Sequence, residues 1–532
     1  MEAKSCIIEN AKLFTCDPNC QKADSMIVED GFIRWVGKRE DRPACAFPKI
    51  DLGGARVIPG FVDVHMHPVM LADFSKQISA LPPNVYSIEE LVKKIHTWRM
   101  THGTDEWCLG WGYDEGKFQE RRSPTRYDLD RGCSDAPVSI MRTCGHIRCV
   151  NSFALNLAGI TRDTPNPPGG EIERDENGEP TGVLKENARY LVTPFMPKDD
   201  EAATVENLVD LGKLLTSHGI VAIGDMGNLD PADNIPRYEA AAKRGFLQEV
   251  AVYYMWDFFY KDPDFTIPKK YFDRSRQAFA AGLKLIGDGS ISGRTAWMEE
   301  PFLTGGCGLP VCTDEQIETA IAFCKKNRCQ LSMHAMGTRA IARMVDRACR
   351  EEKWTDGDLP YVRLEHVTEP SMESLQKIAS HGLGVVTQPI FQYAEIETYL
   401  QNLGPLRTAR CYPYRTMLET GVRLCFSTDA PATSWADPSD PFACMKGAVA
   451  RMAYDGTPFG KAEAVSAKEA VCLYTRESAR MAGFEKLGML SPGYKADFVV
   501  LDRDLFELPP EKIDTVSPQA TFIRGKCVYE KP

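Results

Sequence analysis

Val57-Ile58-Pro59-Gly60-Phe61-Val62-Asp63-Val64-His65-Met66-His67 is an apolar, β-branched run closing on two histidines, and its reading decides the fold. Residues 57–66 have the length and composition of a buried strand. Comparable runs recur at 220–226, 250–256, 283–289, 330–335, 361–367, 383–389 and 423–430, which makes eight. Helix-like stretches separate most of them, as at 202–217, 314–326, 339–351 and 372–380. Strand alternating with helix is the pattern of a parallel sheet, because a parallel neighbour is reached only through a crossover. Eight such units predict an α/β protein built on a closed TIM (β/α)8 barrel.

Outward from that run, the interval to the second strand is far longer than one helix needs, so about residues 70–200 are expected as a large insertion after strand 1. Within it, Asn177-Gly178 reads as the turn of a hairpin over 170–182. Trp107, Trp111, Tyr113 and residues 143–151 add aromatic and polar groups suited to a pocket. The two ends, 5–39 and 495–529, hold short strands, with turns at Asp17-Pro18 and Asp30-Gly31 in the first. Both lack long amphipathic helices and are read as one small β-sandwich domain formed from both termini. The expected bounds are therefore 1–56 and 486–532 for that domain and 57–485 for the barrel with its insertion.

The 532 residues carry 63 Lys+Arg against 74 Asp+Glu, a formal charge of −11. That balance opposes nucleic-acid or anionic-membrane binding as the main task and favours a small-molecule substrate. No run of about 18 apolar residues and no leader-like N-terminus is read, so a cytoplasmic location is expected, and a homo-oligomer is left open. The 18 cysteines are spread through the chain and are read as reduced and mostly buried. Cys16 and Cys20 lack a second Cys/His pair at zinc-finger spacing.

His65 and His67 stand two apart, so a strand points both imidazoles to one face, the barrel interior. Two imidazoles suit a borderline metal such as Zn²⁺, although such a pair alone is a weak signal. The signal strengthens because His334 closes the fifth expected strand, His366 the sixth and Asp429 the eighth. Barrel active sites sit at those carboxyl ends. Lys284 lies inside the apolar fourth strand, where a charged amine is costly to bury. Two readings stand: an ion pair with Asp288, or a carbamate formed with CO₂ whose oxygens bridge two metal ions. His218 and His381 each precede a helix-stopping glycine and read as structural, and His96 and His102 are given no role.

Residues 59–68 (PGFVDVHMHP), 283–302 (LKLIGDGSISGRTAWMEEPF), 331–340 (LSMHAMGTRA), 363–367 (RLEHV) and 426–431 (FSTDAP) together resemble the amidohydrolase superfamily. The branch resembled is amidohydrolase family 3, which includes the N-substituted formamide deformylases. Residues 487–502 (LGMLSPGYKADFVVLD) resemble its closing β-domain segment, so the likeness runs from about Lys12 to Val528. It implies one or two divalent metal ions, zinc first. His65, His67 and Asp429 would hold one, His334 and His366 the other, with N6-carboxylated Lys284 bridging. Residues 144–151 resemble the family's insertion motif, in which His146 would polarise the substrate and Asn151 would shape the pocket. Asp288, Arg294 and Thr295 resemble the loop after the fourth strand, as substrate contacts or groups behind them.

The implied reaction is hydrolysis of a C–N amide-type bond in an N-substituted formamide or N-acyl amide, with Asp429 as general base. Trp111, Tyr113, Phe391 and Tyr393 suggest an apolar or aromatic substituent. The alternatives are a cyclic-amide hydrolase or dipeptidase, an aminoheterocycle deaminase, and a metal-free scaffold. The deaminase would carry a glutamate three residues after the fifth-strand histidine, where this chain has Gly337. A scaffold would have lost ligands, and here all six candidates are present.

Overall fold

The computed structural model describes residues 5–20, 22–143, 145, 147–227 and 231–532. They form two compact units, one of residues up to Pro68 with Leu208–Ala430 and Ser439–Pro532, the other of Val69–Asn207 with Pro431–Pro438.

The first unit contains eight strands hydrogen-bonded in sequence order, each parallel to the next. They are β1 (Phe61–Met66), β2 (Ile220–Asp225), β3 (Glu249–Met255), β4 (Ala278–Ile286), β5 (Gln330–Ala335), β6 (Val362–His366), β7 (Gly384–Thr387) and β8 (Arg423–Phe426). Past β8 the ring is closed at the site end, where Asp429 N donates to His65 O at 2.7 Å and His67 N to Ala430 O at 2.8 Å. The fold is a TIM barrel. Strands β1, β2, β6 and β7 are buried along their whole length. Helices cover the outer face of such a sheet while side chains fill the inner one, which is why these runs read as unbroken apolar stretches without alternation. Val62, Val64, Ala222, Ala251, Phe279, Val386 and Cys425 belong to that core.

The crossover helices form where the pattern demands. Asp314–Asn327 begins with a reciprocal capping box of Thr313 and Gln316 and buries Ile317, Ala320, Ile321 and Cys324, one stripe of a 3.6-residue repeat. Thr338–Ala348 buries Ala340, Ile341, Met344, Val345 and Ala348 in the same way.

Several strand boundaries differ from the sequence reading, three of them near the site or the terminal sheet. The run 57–66 is two strands, Lys49–Pro59 of the terminal sheet and β1, separated at Gly60, where a Cβ would lie 2.5 Å from the Val221 side chain. Both halves are apolar, so periodicity could not divide them. The fourth strand starts at Ala278 rather than 283. The eighth ends at Phe426, leaving Asp429 in the following turn at φ 59°, a left-handed backbone uncommon for an aspartate.

The two chain ends pair in one seven-stranded sheet ordered Lys526–Glu530, Pro518–Ile523, Phe498–Leu501, Lys49–Pro59, Cys6–Leu13, Ser25–Glu29, Phe32–Gly37. The sheet curls so that its last strand meets the segment before Phe498, with Ile33 N donating to Tyr494 O at 2.8 Å and Gly493 N to Ile33 O at 2.7 Å. Ile8, Met26, Val28, Ile33, Phe498 and Phe522 fill the enclosed core. The layered β-domain is thus a single sheet folded on itself, within the same compact unit as the barrel.

The second unit is built on a six-stranded sheet ordered Gly170–Arg174, Pro180–Glu186, Ile147–Val150, Val138–Arg142, Cys108–Tyr113, Ile78–Ser79. Its first two strands form the hairpin at Asn177-Gly178. The helix Ile88–Arg99 buries Ile88, Leu91, Val92 and Ile95 against Cys108, Val138 and Ile140. The segment Pro431–Pro438 joins this unit, Ala436 N donating to Pro82 O at 2.9 Å. Nothing in its composition foretold that. Among the described residues all 17 cysteines are free, and no helix is long and apolar enough to cross a membrane.

Candidate metal centre

The four barrel histidines share one arrangement. Each places one ring nitrogen outward against an acceptor and the other inward. His65 Nδ1 lies 2.6 Å from Glu365 Oε2, and His67 Nδ1 lies 2.7 Å from Gly227 O. His334 Nε2 lies 3.0 Å from Gly289 O, and His366 Nδ1 lies 2.7 Å from Gln388 Oε1. A carbonyl or carboxylate oxygen only accepts, so in the neutral ring each outward nitrogen carries the proton and each inward nitrogen presents a lone pair.

Those lone pairs face one another. His65 Nε2 and His67 Nε2 stand 3.3 Å and 3.2 Å from the same Asp429 Oδ1. His366 Nε2 stands 2.9 Å from His334 Nδ1. Asp429 Oδ1 is buried and lacks a hydrogen-bond donor. Ligand atoms of His65, His366 and Asp429 all lie within 4.8 Å of one another. Acceptors gathered at contact distance repel unless a cation sits among them, so the donor set fits a divalent metal, and its N/O composition suits zinc.

Electrostatics favour the neutral, ligating form at His334 and His366, whereas at His67 burial is outweighed by Asp429, which raises the ring, so that it would give up a proton on binding metal. Burial, then the Lys284 charge, pushes His334 down to about 4, and burial followed by His334 holds His366 well below the usual histidine range. Both are therefore neutral near pH 7, as ligation requires. Burial raises Asp429, but His65 and His67 outweigh it and hold the carboxyl well below its ordinary value. His366 and Asp429 also have positive φ, 74° and 59°. Such backbone is costly for non-glycine residues and collects where function fixes the side chain.

Lys284 is buried, with Nζ 3.3 Å from His65 Nε2. Burial lowers its amine to about 8. The ion pair with Asp288 considered above does not form. Asp288 lies two residues past β4 and accepts from Met336 N at 3.0 Å and from Trp297 N and Gly337 N, both at 2.8 Å. Its role in this structure is to tie the loop after β4 to the end of β5.

The supporting residues behind the ligands were not singled out in the sequence. Glu365 Oε1 accepts from Arg363 Nε at 2.6 Å and Ser332 Oγ at 2.7 Å, while Oε2 accepts from His65 Nδ1 at 2.6 Å. Burial raises the Glu365 pKa, but Arg363 and then His65 reverse that and hold it well below the normal range. The available signal was Arg363-Leu364-Glu365, two charges within a buried barrel strand. Gln388, just past β7, orients His366 and donates to Ser427 Oγ at 2.9 Å. Gln388→Ala is expected to weaken metal binding about 10- to 100-fold, read by chelator competition, because the ring loses its fixed tautomer. The Gly227 and Gly289 carbonyls do the same work for His67 and His334 and leave no side-chain trace in the sequence.

The structure gives the remaining described sequence candidates these surroundings. Arg294 and Thr295 are exposed; Arg294 Nη1 donates to Thr304 Oγ1 at 3.2 Å, and Thr295 Oγ1 accepts from Ser290 N at 3.0 Å. In the second unit Asn151 is buried and its amide is wholly committed: Oδ1 accepts from Val138 N and Ala154 N, and Nδ2 donates to Cys133 O and Ala136 O. Tyr113 belongs to that unit's apolar core, and Trp111 stacks on Phe74 with centroids 4.9 Å apart. His146 lies outside the described residues. Phe391 stacks on His366, centroids 5.7 Å apart. His381 Nδ1 bonds Lys377 O at 2.9 Å and His218 Nδ1 bonds Ser439 Oγ at 3.1 Å, both away from the centre.

Gly337 has no room for the deaminase glutamate. A Cβ there would lie 2.3 Å from Trp297 O and 2.5 Å from Trp297 N. Gly337→Ala is accordingly expected to destabilise the fold by about 1–3 kcal/mol, seen as a lower Tm in calorimetry.

Residues 49–529 match the Amidohydrolase family. The Bacillus subtilis protein YtcJ is 28% identical over 540 residues, covering 98% of each chain. The N-substituted formamide deformylase of Arthrobacter pascens is 27% identical over 546 residues, covering 100% of this chain and 99% of its own. Among solved structures, an uncharacterised metal-dependent hydrolase from Pyrococcus horikoshii superposes with a TM-score of 0.72 at 22% identity, over 95% of this chain and 99% of that one. With the match running from the terminal sheet through every barrel strand and back, this chain belongs to the amidohydrolase family.

Proposed function

We propose that the protein is a metal-dependent hydrolase of C–N amide-type bonds, with N-substituted formamides or N-acyl amides as its substrate class. The observation that carries the reading is a donor-less Asp429 Oδ1 faced by the inward nitrogens of His65 and His67, with the inward nitrogens of His334 and His366 set against each other nearby. Likeness to a formamide deformylase along the whole chain supports the substrate class. His65, His67 and Asp429 would hold one divalent ion and His334 and His366 a second, zinc in preference, with carboxylated Lys284 between. Such an ion, when bound, polarises a carbonyl and brings the pKa of water down to about 7.

The chain's own groups supply the rest. Asp429 accepts the proton of the attacking water and returns it to the departing nitrogen. Glu365, Gln388 and the carbonyls of Gly227 and Gly289 hold the imidazoles so that no reorientation is needed during turnover. The lowered Lys284 pKa of about 8 keeps part of the amine neutral near physiological pH, the form that adds to CO₂. The Phe391 ring on His366 offers an apolar wall for a hydrophobic substituent.

The test is a screen of the metal-loaded protein against N-formyl, N-acyl, lactam and dipeptide panels, scoring released amine and acid. Free amine with formate or another acid supports the reading. Turnover confined to lactams or dipeptides moves the substrate class, and ammonia release from an aminated heterocycle replaces it with deamination. Failure to take up metal after supplementation leaves a scaffold.

A further inference from the structure

Away from the proposed metal ligands, two thiols meet that the proposed hydrolysis does not use. Cys16 follows the first strand of the terminal sheet, and Cys472 lies near the end of the helix Ala467–Leu473. The two side chains hydrogen-bond to each other. Cys16 is 5% exposed, whereas Cys472 is half-buried. The Cys16 segment is held from both directions: Cys16 Sγ lies 3.4 Å from Thr475 Oγ1, and Arg476 Nη1 donates to Cys16 O at 2.7 Å. The pair therefore joins one partly exposed thiol to one shielded thiol on an anchored segment.

We infer that Cys472 and Cys16 form a peroxide-reactive dithiol, Cys472 as the attacking and Cys16 as the resolving thiol, closing reversibly to a disulfide. The Cys472 sulfur attacks the distal oxygen of a hydroperoxide; the S–O bond forms, the O–O bond breaks, and the alkoxide or hydroxide leaves and takes up a proton. Cys472 is thereby oxidised by two electrons to a sulfenic acid. Cys16 then attacks that sulfur, the S–S bond forms, and the oxygen departs as water with the Cys16 proton. Overall two thiols lose two hydrogens, and the hydroperoxide is reduced to an alcohol, or to water, plus one water.

The electrostatics agree with this division of labour. Cys472 is lowered, first by the hydrogen bond from Cys16 and also by the Arg476 charge, while burial pushes Cys16 well up. Reactive cysteines are partly exposed and near positive charge, and inert ones are buried. The chain carries its own control. Cys324 and Cys329 are likewise hydrogen-bonded, but they are 0% and 2% exposed. They should stay reduced while the first pair reacts. The site also borders the metal centre's supports: two residues on, Tyr474 donates to Asp63 Oδ2 at 2.8 Å, and Asp63 Oδ1 accepts from His65 N at 3.3 Å.

The experiment treats the metal-loaded full chain with hydrogen peroxide, alkylates remaining thiols with iodoacetamide under denaturing conditions, and maps peptides by mass spectrometry. The expected result is a linked pair of peptides containing Cys16 and Cys472, lighter by two hydrogens and released by dithiothreitol, with Cys324 and Cys329 fully alkylated. In Cys16→Ser the expected product is instead a Cys472 sulfenic acid trapped by dimedone. The wild-type map needs no variant to fold. Absence of the linked peptides, with Cys472 recovered as free thiol or as sulfinic acid, would overturn the inference, and so would equal oxidation of the Cys324 and Cys329 pair.

Discussion

Asp429→Asn is expected to lower kcat by about 10²- to 10⁴-fold while the protein stays folded and retains much of its metal. Asparagine keeps the shape of the side chain and tolerates a left-handed backbone at least as well as aspartate, so the φ of 59° is not a new strain. An amide oxygen can still face His65 and His67, now 3.3 Å and 3.2 Å from Oδ1, but an amide cannot accept a proton from water near pH 7. The loss should therefore appear in turnover more than in metal content. Steady-state kinetics on the best substrate from the screen, beside metal analysis and circular dichroism, separates the two. Wild-type turnover in a metal-loaded variant would remove Asp429 from the proton path.

Glu365→Gln is expected to be the most destabilising single change at the centre, by about 3–5 kcal/mol. Arg363 and Glu365 are both fully buried, and the guanidinium bonds the carboxylate at 2.6 Å and 3.1 Å. Neutralising Glu365 leaves a buried positive charge whose other partners, Val64 O at 2.8 Å and Tyr253 Oη at 3.0 Å, carry no charge. It also takes the ionised acceptor away from His65 Nδ1, so metal binding should weaken in the same variant. Adding Arg363→Met should restore part of the stability, because it removes the stranded charge, but not the metal affinity. A denaturation midpoint in the single variant within about 1 kcal/mol of wild type would show that the pair is not the strut it looks to be.

The barrel was legible because parallel strands covered on both faces must be apolar throughout, and eight such runs with intervening helices leave few other solutions. The candidate ligands were legible for a related reason: His65, His67, His334 and His366 interrupt or end those runs, where an imidazole has no packing purpose. What escaped was set by tertiary contact. The break at Gly60 is imposed by the Val221 side chain across the sheet, and the transfer of Pro431–Pro438 to the second unit by a bond to Pro82 O. The acceptors behind the histidines are partly backbone carbonyls, and a carbonyl has no letter in a sequence. Asp288 and Asn151 show the converse. Their polarity was read as substrate contact or as support for the pocket, and in this structure it pairs backbone N–H groups and carbonyls that would otherwise be buried unpaired.

The most direct measurement is anomalous X-ray scattering at the zinc absorption edge from crystals grown with zinc. The expected result is a strong peak within about 2.0–2.3 Å of His65 Nε2, His67 Nε2 and an Asp429 oxygen, with any second peak beside His334 Nδ1 and His366 Nε2. A fully occupied zinc elsewhere on the protein, with those five side chains unliganded and their lone pairs still facing one another, would contradict the assignment.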